Sequence, residues 1–313
     1  MKKHFIYHNY IEETKKLAPQ HKNFSALART IYYNNPELKD LIAPDNFRRQ
    51  LSEWFKKEAK KDPSILIKRK RLFFDIETTP NVVYSWRVGY NLTITPDNII
   101  EERKIICIAW KWEGEDETFA LHWDEFQDDK QMLIQFLVVM NKADEIIGHN
   151  SDRFDTKWIR TRCYFHNIPM FPYYRSLDTL KKARSNFNFN SNKLDYIAKF
   201  SGFEGKKKTT YSLWLKVMDG DQEALDYMVE YCKKDVIELE NVFQKMNNYV
   251  TNNTHHAVLA GEDKELCPEC AGIGEFVKVI ATPMGTKQAL MKCNCGKFYK
   301  ISFKSYMKLY ETA

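Results

Sequence analysis

At Arg71 the apolar periodicity of the chain changes from helical to alternating, and that change limits the folds open to the rest. Residues 72–76, 105–110 and 118–123 read as strands. A helix over about 125–141 follows, then a strand over 145–148, a helix over 151–166 and a strand ending at Asp178. Several helices come next, the last a long one from about 221 to 246. Strands and helices in this order predict an α/β domain on a mixed central sheet.

Before the change the pattern is helical. Phe24, Leu27, Ala28 and Ile31 recur at helical spacing, Asn34-Asn35-Pro36 breaks the run, and Phe47, Leu51, Trp54 and Phe55 follow the start signal Pro44-Asp45. The expected division is a small basic helical domain over 1–62, a linker over 63–70, the α/β domain over 71–248 and a cysteine-bearing module over 260–313. Charge follows it: residues 1–70 hold 16 Lys/Arg against 8 Asp/Glu, whereas 71–259 hold 24 against 28. A basic flank beside an acidic core suits an enzyme that holds a polyanion and gathers carboxylates for metals, although lysine-rich helices also simply solvate well. The first residues form no apolar leader and the longest apolar stretch, 132–140, is too short to cross a bilayer, which points to the cytoplasm and away from a membrane.

Three segments carry carboxylates at chemically useful spacings. In Leu72-Phe73-Phe74-Asp75-Ile76-Glu77 the alternation of a strand puts Asp75 and Glu77 on one side, two oxygen ligands for one metal site, and turns Leu72, Phe74 and Ile76 to a core. In Asn150-x-x-x-Phe154-Asp155 the aspartate falls in the first turn of a helix, where its charge also favours the helix dipole. In Tyr231-x-x-x-Asp235 the spacing of four sets phenol and carboxylate on one helical face. Each signal alone is more often structural.

Together and in this order they resemble the three motifs of the DEDDy branch of RNase H-like 3′→5′ exonucleases. The chain is similar to the proofreading domains of family-B DNA polymerases and to stand-alone exonucleases of tailed bacteriophages, from Arg71 to about Met246. Shared landmarks include Asp178-Thr179-Leu180, Ser191-Asn192-Lys193-Leu194-Asp195, Leu213-Trp214 and Gly220-Asp221. The resemblance implies an RNase H-like domain that cleaves nucleic acid with two Mg²⁺ or Mn²⁺ ions about 3.5–4 Å apart. Asp75 would bridge both ions, Glu77 and Asp235 would complete the first, and Asp155 would hold the second, partly through water. Tyr231 would aim the attacking water; a phenol with an ordinary pKa near ~10 is a poor base at neutral pH, so the ions must do most of the deprotonation. Single-stranded DNA is the implied substrate, with RNA the alternative, and Asn150 and Phe154 are candidate nucleic-acid contacts. A chain of this length has no room for a polymerase domain, so proofreading would require a separate replication protein, in the host cytoplasm if the chain is phage-encoded. A nucleic-acid-binding or adaptor protein without turnover is the rival class; its mark would be a broken ligand set, and all five residues are present.

Cys267-Pro-Glu-Cys270 and Cys293-Asn-Cys295 form two knuckles that read as a structural zinc ribbon, with a redox pair the rival. The second knuckle is Cys-x-Cys rather than the commoner Cys-x-x-Cys. Lys287, Lys292, Lys297 and Lys300 suit nucleic acid, but a ribbon of this size would expose lysines anyway. In the N-terminal region, helices 24–33 and 46–60 would pack through Leu27, Ile31, Leu51, Trp54 and Phe55 into a helix-turn-helix-like unit. Arg48, Arg49, Lys56 and Lys57 would then face phosphates, though a solvated helical cap explains the same residues.

Overall fold

The computed structural model describes residues 9–17, 24–61, 70–205, 209–251, 254–259 and 262–310. The side chains of 24–25, 55–61 and 308–310, Phe55, Lys56 and Lys57 among them, lie outside the described residues, as do Asp62 and residues 63–69 of the linker. Two compact units result: Lys70–Val250, and Met1–Arg69 together with Thr251–Ala313.

Among the described residues the first helices are α1 (Ile11–Leu17), α2 (Phe24–Asn34), α3 (Leu38–Leu41) and α4 (Pro44–Lys61). Leu27 and Ile31 of α2 join Leu51 and Trp54 of α4 in one core, as the helical spacing predicts, and Tyr10, Leu38 and Phe47 complete it. The long α2–α4 connection is filled by α3 and tied by the Tyr32 hydroxyl, which donates to the Ile42 carbonyl at 2.9 Å.

The next elements are β1 (Arg71–Thr78), β2 (Val82–Val83), β3 (Ile99–Glu101), β4 (Ile105–Trp112), β5 (Thr118–His122), α5 (Lys130–Met140), β6 (Glu145–Gly148), α6 (Asp155–Phe165) and β7 (Ser176–Asp178). Helices α7 (Thr179–Asn186), α8 (Leu194–Phe200), α9 (Tyr211–Met218) and α10 (Gln222–Asn247) complete the unit. The sheet runs β5-β4-β1-β6-β7, antiparallel from β5 to β1 and parallel from β1 to β7. Leu72, Phe74 and Ile76 pack on Met132, Leu133, Phe136 and Ile159 from α5 and α6. Phe73 faces the other way, among Leu194, Met228, Val236 and Phe243 from α8 and α10. A mixed five-stranded sheet with helices on both faces is the α/β architecture the element order predicts.

Two helices start later than their apolar pattern suggests. Asp124 Oδ1 accepts the amides of Phe126 and Asp128, both at 2.9 Å, and Gln127 takes a φ of 56°, so a tight turn occupies 124–128 and α5 begins at Lys130. Asn150 has a φ of 70° and its carbonyl accepts the Arg153 and Phe154 amides, so a turn precedes α6.

After α10 come α11 (His256–Leu259), β8 (Gly274–Ala281), β9 (Lys287–Cys293), β10 (Phe298–Ser302) and α12 (Phe303–Tyr310). The last three strands form an antiparallel sheet in the order β10-β9-β8. Ala289, Met291, Tyr299 and Ile301 form its small core beside Cys267 and Cys293. Among the described residues no helix is long and apolar enough to cross a membrane.

Candidate active site and metal centres

Because β1 is the central strand, its two faces meet different layers. Asp75 and Glu77 project to the side of Phe73, whose ring packs edge-on against Phe243 of α10 at 5.4 Å. That helix starts where the Asp221 side chain accepts the Ala224 amide at 3.1 Å, which satisfies one of the amides left open at a helix start. Its length then carries Asp235 to β1. Ligand oxygens of Asp75, Glu77 and Asp235 lie within 4.8 Å of one another. Carboxylates at that separation repel by on the order of 3–4 kcal/mol per pair at an effective dielectric of about 20. An all-oxygen set of this kind fits a hard divalent cation such as Mg²⁺ or Mn²⁺.

Asp155, buried at the start of α6, is not in that threefold group. Its Oδ1 accepts the backbone amide of Ile76 at 3.2 Å, the residue between Asp75 and Glu77. Parallel pairing of β1 with β6 covers Arg71 to Phe73, so the Ile76 amide lies past the ladder and a side chain takes it. The loop that delivers Asp155 is held by Asp178, whose carboxylate accepts the Asn150 amide at 2.9 Å and the Asp152 amide at 3.3 Å while capping α7. Gly148 is required there, since a Cβ would stand 2.3 Å from the Ser151 Cβ. His149 spans Thr179 Oγ1 and the Asn192 carbonyl, both at 2.9 Å, which makes it a strut of this loop. Phe154 packs edge-on with Trp158 and stays partly exposed.

Tyr231, one turn before Asp235 on α10, is buried with it. Between them sits Cys232, whose Sγ donates to the Asp75 carbonyl at 3.5 Å and lies 3.9 Å from Asp75 Oδ2. Burial pushes this thiol well up, and Cys107 and the charges of Asp75 and Glu77 add to the effect, so it stays neutral beneath the cluster. Burial and then the charge of Asp235 also raise Glu238 above the ordinary glutamate value. Sequence reasoning passed over Glu238, whose spacing of three from Asp235 was the available signal. Trp214, in one of the landmark dipeptides, donates its indole N–H to the Thr78 carbonyl at 3.2 Å and so braces the end of β1.

A second buried charge group is structural. Arg162 grips Asp129 through two bonds of 2.7 and 2.9 Å, His166 Nε2 lies 2.6 Å from Asp129 Oδ1, and the Ile105 amide donates to Oδ2 at 3.0 Å. Burial alone would push the Asp129 carboxyl up, but these donors outweigh it and hold the group below its ordinary value.

In the other unit the four cysteine sulfurs also lie within 4.8 Å of one another. Cys267 and Cys295 are 3.7 Å apart and Cys270 and Cys293 3.4 Å. A tetrahedron of zinc–sulfur bonds about 2.3 Å long has edges of roughly 3.8 Å, whereas a disulfide would need about 2.05 Å. The four thiols are free, and the set fits a tetrahedral zinc. Left-handed Ala271 (φ 57°) and Gly296 (φ 88°) turn the two knuckles, and a Cβ on Gly272 would press on Cys270 and Cys293 at 3.2 Å. The thiols of Cys267 and Cys270 draw the Cys295 thiol below its ordinary value. Lys287, Lys292 and Lys300 are exposed as expected, but Lys297 is buried. On α4, Arg48 and Arg49 are exposed, with Arg48 3.7 Å from Asp45.

Residues 99–247 match a family model of the RNase H superfamily, a span that takes in Asp155, Tyr231 and Asp235 and begins after β1. Among solved structures, the family B DNA polymerase of the hyperthermophilic archaeon Pyrobaculum calidifontis is similar at 13% identity and a TM-score of 0.43, over 71% of this chain and 32% of that one. The chain thus spans about a third of the polymerase. No curated protein matches it.

Proposed function

We propose that the chain is a two-metal 3′→5′ exonuclease that hydrolyses phosphodiester bonds at nucleic-acid 3′ ends, with single-stranded DNA the favoured substrate. The observation that carries this reading is the approach of Asp75, Glu77 and Asp235 within 4.8 Å, with Asp155 bonded to the amide between the first two. Asp75, Glu77 and Asp235 would hold one divalent ion and Asp155 would share a second with Asp75. Such ions supply an activated water and neutralise charge at the leaving oxygen. Tyr231 hydrogen-bonds the attacking water and sets its direction, while the neutral Cys232 thiol fixes the backbone of Asp75 from below. Asn150 and Phe154, on the loop that delivers Asp155, border the terminal nucleotide. Arg48 and Arg49 add phosphate contacts, and the ribbon carries one structural zinc.

The preference for DNA rests on the likeness of the three motifs to proofreading domains. Digestion of 3′-labelled and 5′-labelled oligonucleotides, DNA and RNA in parallel, with Mg²⁺, Mn²⁺ or EDTA, tests all of it. The expected result is immediate release of the 3′ label, a descending ladder from the 5′ label on DNA, and silence in EDTA. A ladder that starts from the 5′ end, or none, overturns the reading; faster loss of RNA overturns the substrate.

A further inference from the structure

From Thr78 to Pro96 the chain has no acidic residue, although residues 71–259 contain 28. Within this stretch Tyr84, Trp86, Val88, Tyr90, Leu92 and Ile94 stand at every second position, and Arg87 is the one charged residue. Alternation of that kind ordinarily marks a strand with one face on a core. Here residues 84–95, between β2 and β3, belong to no strand. Trp86 and Tyr90 are exposed to 101% and 107%, as in an open peptide, and Tyr84 to 76%. All six of these apolar side chains are exposed along one segment, more than the scattered single residues usual on a domain surface, and such surfaces mark interaction sites.

The feet of this strap are fixed. The Thr79 amide donates to the Lys104 carbonyl at 3.0 Å, the Lys104 amide to Thr79 Oγ1 at 2.9 Å, and the Arg103 amide to Asn81 Oδ1 at 3.1 Å. Val82 and Val83 pair with Glu101 and Ile99, and the Tyr84 amide donates to the Asn98 carbonyl at 3.0 Å. The strap therefore rises from the end of β1 that carries Glu77.

We infer that Tyr84, Trp86 and Tyr90 are a stacking platform for the bases of a single strand whose 3′ end enters the carboxylate cluster, with Arg87 on a phosphate. This deepens, and rests on, the nuclease reading. Flat aromatic faces, a lone arginine and the absence of acid suit a polyanion with π-faces, since base stacking on aromatic side chains is indifferent to sequence. A protein partner adding a strand would draw chiefly on main-chain pairing, which truncation of the aromatic side chains leaves in place.

The test measures binding of the full chain to fluorescent single-stranded oligo(dT) and to a blunt duplex, in an Asp75→Asn background that does not degrade the probe. Trp86→Ala and Tyr90→Ala should each raise the Kd for oligo(dT) roughly tenfold or more and leave the duplex unchanged. Trp86→Phe should recover most of the loss, because a ring remains. Arg87→Ala should flatten the slope of log Kd against log salt by about 0.7, whereas the aromatic variants should leave that slope alone. A Kd for oligo(dT) within twofold of the parent in the Trp86→Ala, Tyr90→Ala double variant overturns the proposal, as does an equal loss for the blunt duplex. Hydrolysis of oligo(dT) by the wild-type chain separates the two claims. Hydrolysis with an inert strap sinks the strap alone, whereas no hydrolysis with a binding loss sinks the nuclease reading and the path of the 3′ end, and leaves the stacking of bases on the strap standing.

Discussion

The carboxylate cluster and the cysteine cluster each gather metal-ligating side chains into a few ångströms, and they do so by opposite routes. Asp75 and Asp235 stand 160 positions apart, and only the packing of α10 across β1 brings them together. Cys267 and Cys295 are 28 positions apart and are set by two local turns. The first site sits on a domain with extensive apolar layers on both faces of its sheet. The second sits beside a core of little more than Ala289, Met291, Tyr299 and Ile301. A site assembled over long range needs a fold that is stable before any ion arrives. A small ribbon makes its metal part of folding. Removing ions should silence one region and unfold the other.

The largest expected effect follows from the long-range site. Asp75→Ala should lower the rate of oligonucleotide cleavage by more than about a thousandfold, since losing a ligand raises the barrier by several kcal/mol. Its thermal unfolding midpoint should stay at or above that of wild type, because one member of a repelling trio is gone. Wild-type turnover in this variant would break the comparison at its first term.

Cys267→Ser probes the other side. The variant should lose zinc by elemental analysis, and amide exchange over residues 262–310 should become fast while 70–250 stays protected. Retained zinc, or equal loosening of both regions, would mean that the ribbon is not folded by its metal.

How much of this was legible beforehand follows the same divide. The strand at β1, the helix at α10 and both cysteine knuckles could be read because each is a local pattern: alternation, a spacing of four, paired short spacings. What escaped was tertiary. The Asp129–Arg162–His166 cluster joins a turn to a helix, and no periodicity announces it. Asn150 lies within a motif, but its left-handed turn and the brace from Asp178 follow from packing against β7 and α7. Glu238 and Cys232 looked like ordinary helix residues until β1 was laid beside them. The alternation over 84–94 shows the converse: a clean strand pattern that forms no strand among the described residues.

Asp129→Asn sharpens the claim that the α/β unit is stable on its own interactions. Removing one partner of a buried ion pair should cost roughly 3–5 kcal/mol of unfolding free energy, read by denaturant titration. The pH dependence has a definite sign. The Asp129 carboxyl is held below its ordinary value of 3.8, so its stabilisation is full above that value and fades as pH falls through the lowered one. Wild type should therefore lose more stability than the variant on acidification below about pH 4. Parallel curves would show that the Arg162 pair contributes nothing net.

The smallest effect is expected at Tyr231. Tyr231→Phe removes a hydrogen bond to water and keeps every carboxylate, so cleavage should slow by on the order of tenfold to a thousandfold at unchanged metal affinity. Full activity across pH would remove the tyrosine from the site.

Manganese titration of the zinc-loaded chain, followed by electron paramagnetic resonance, tests the central claim most directly. The wild-type protein should bind Mn²⁺ with no change in its fold, and the Asp75→Ala, Asp235→Ala double variant should lose that binding while keeping its zinc. Undiminished Mn²⁺ affinity in a folded double variant would contradict the account, because the carboxylates that β1 and α10 bring together would then hold no ion.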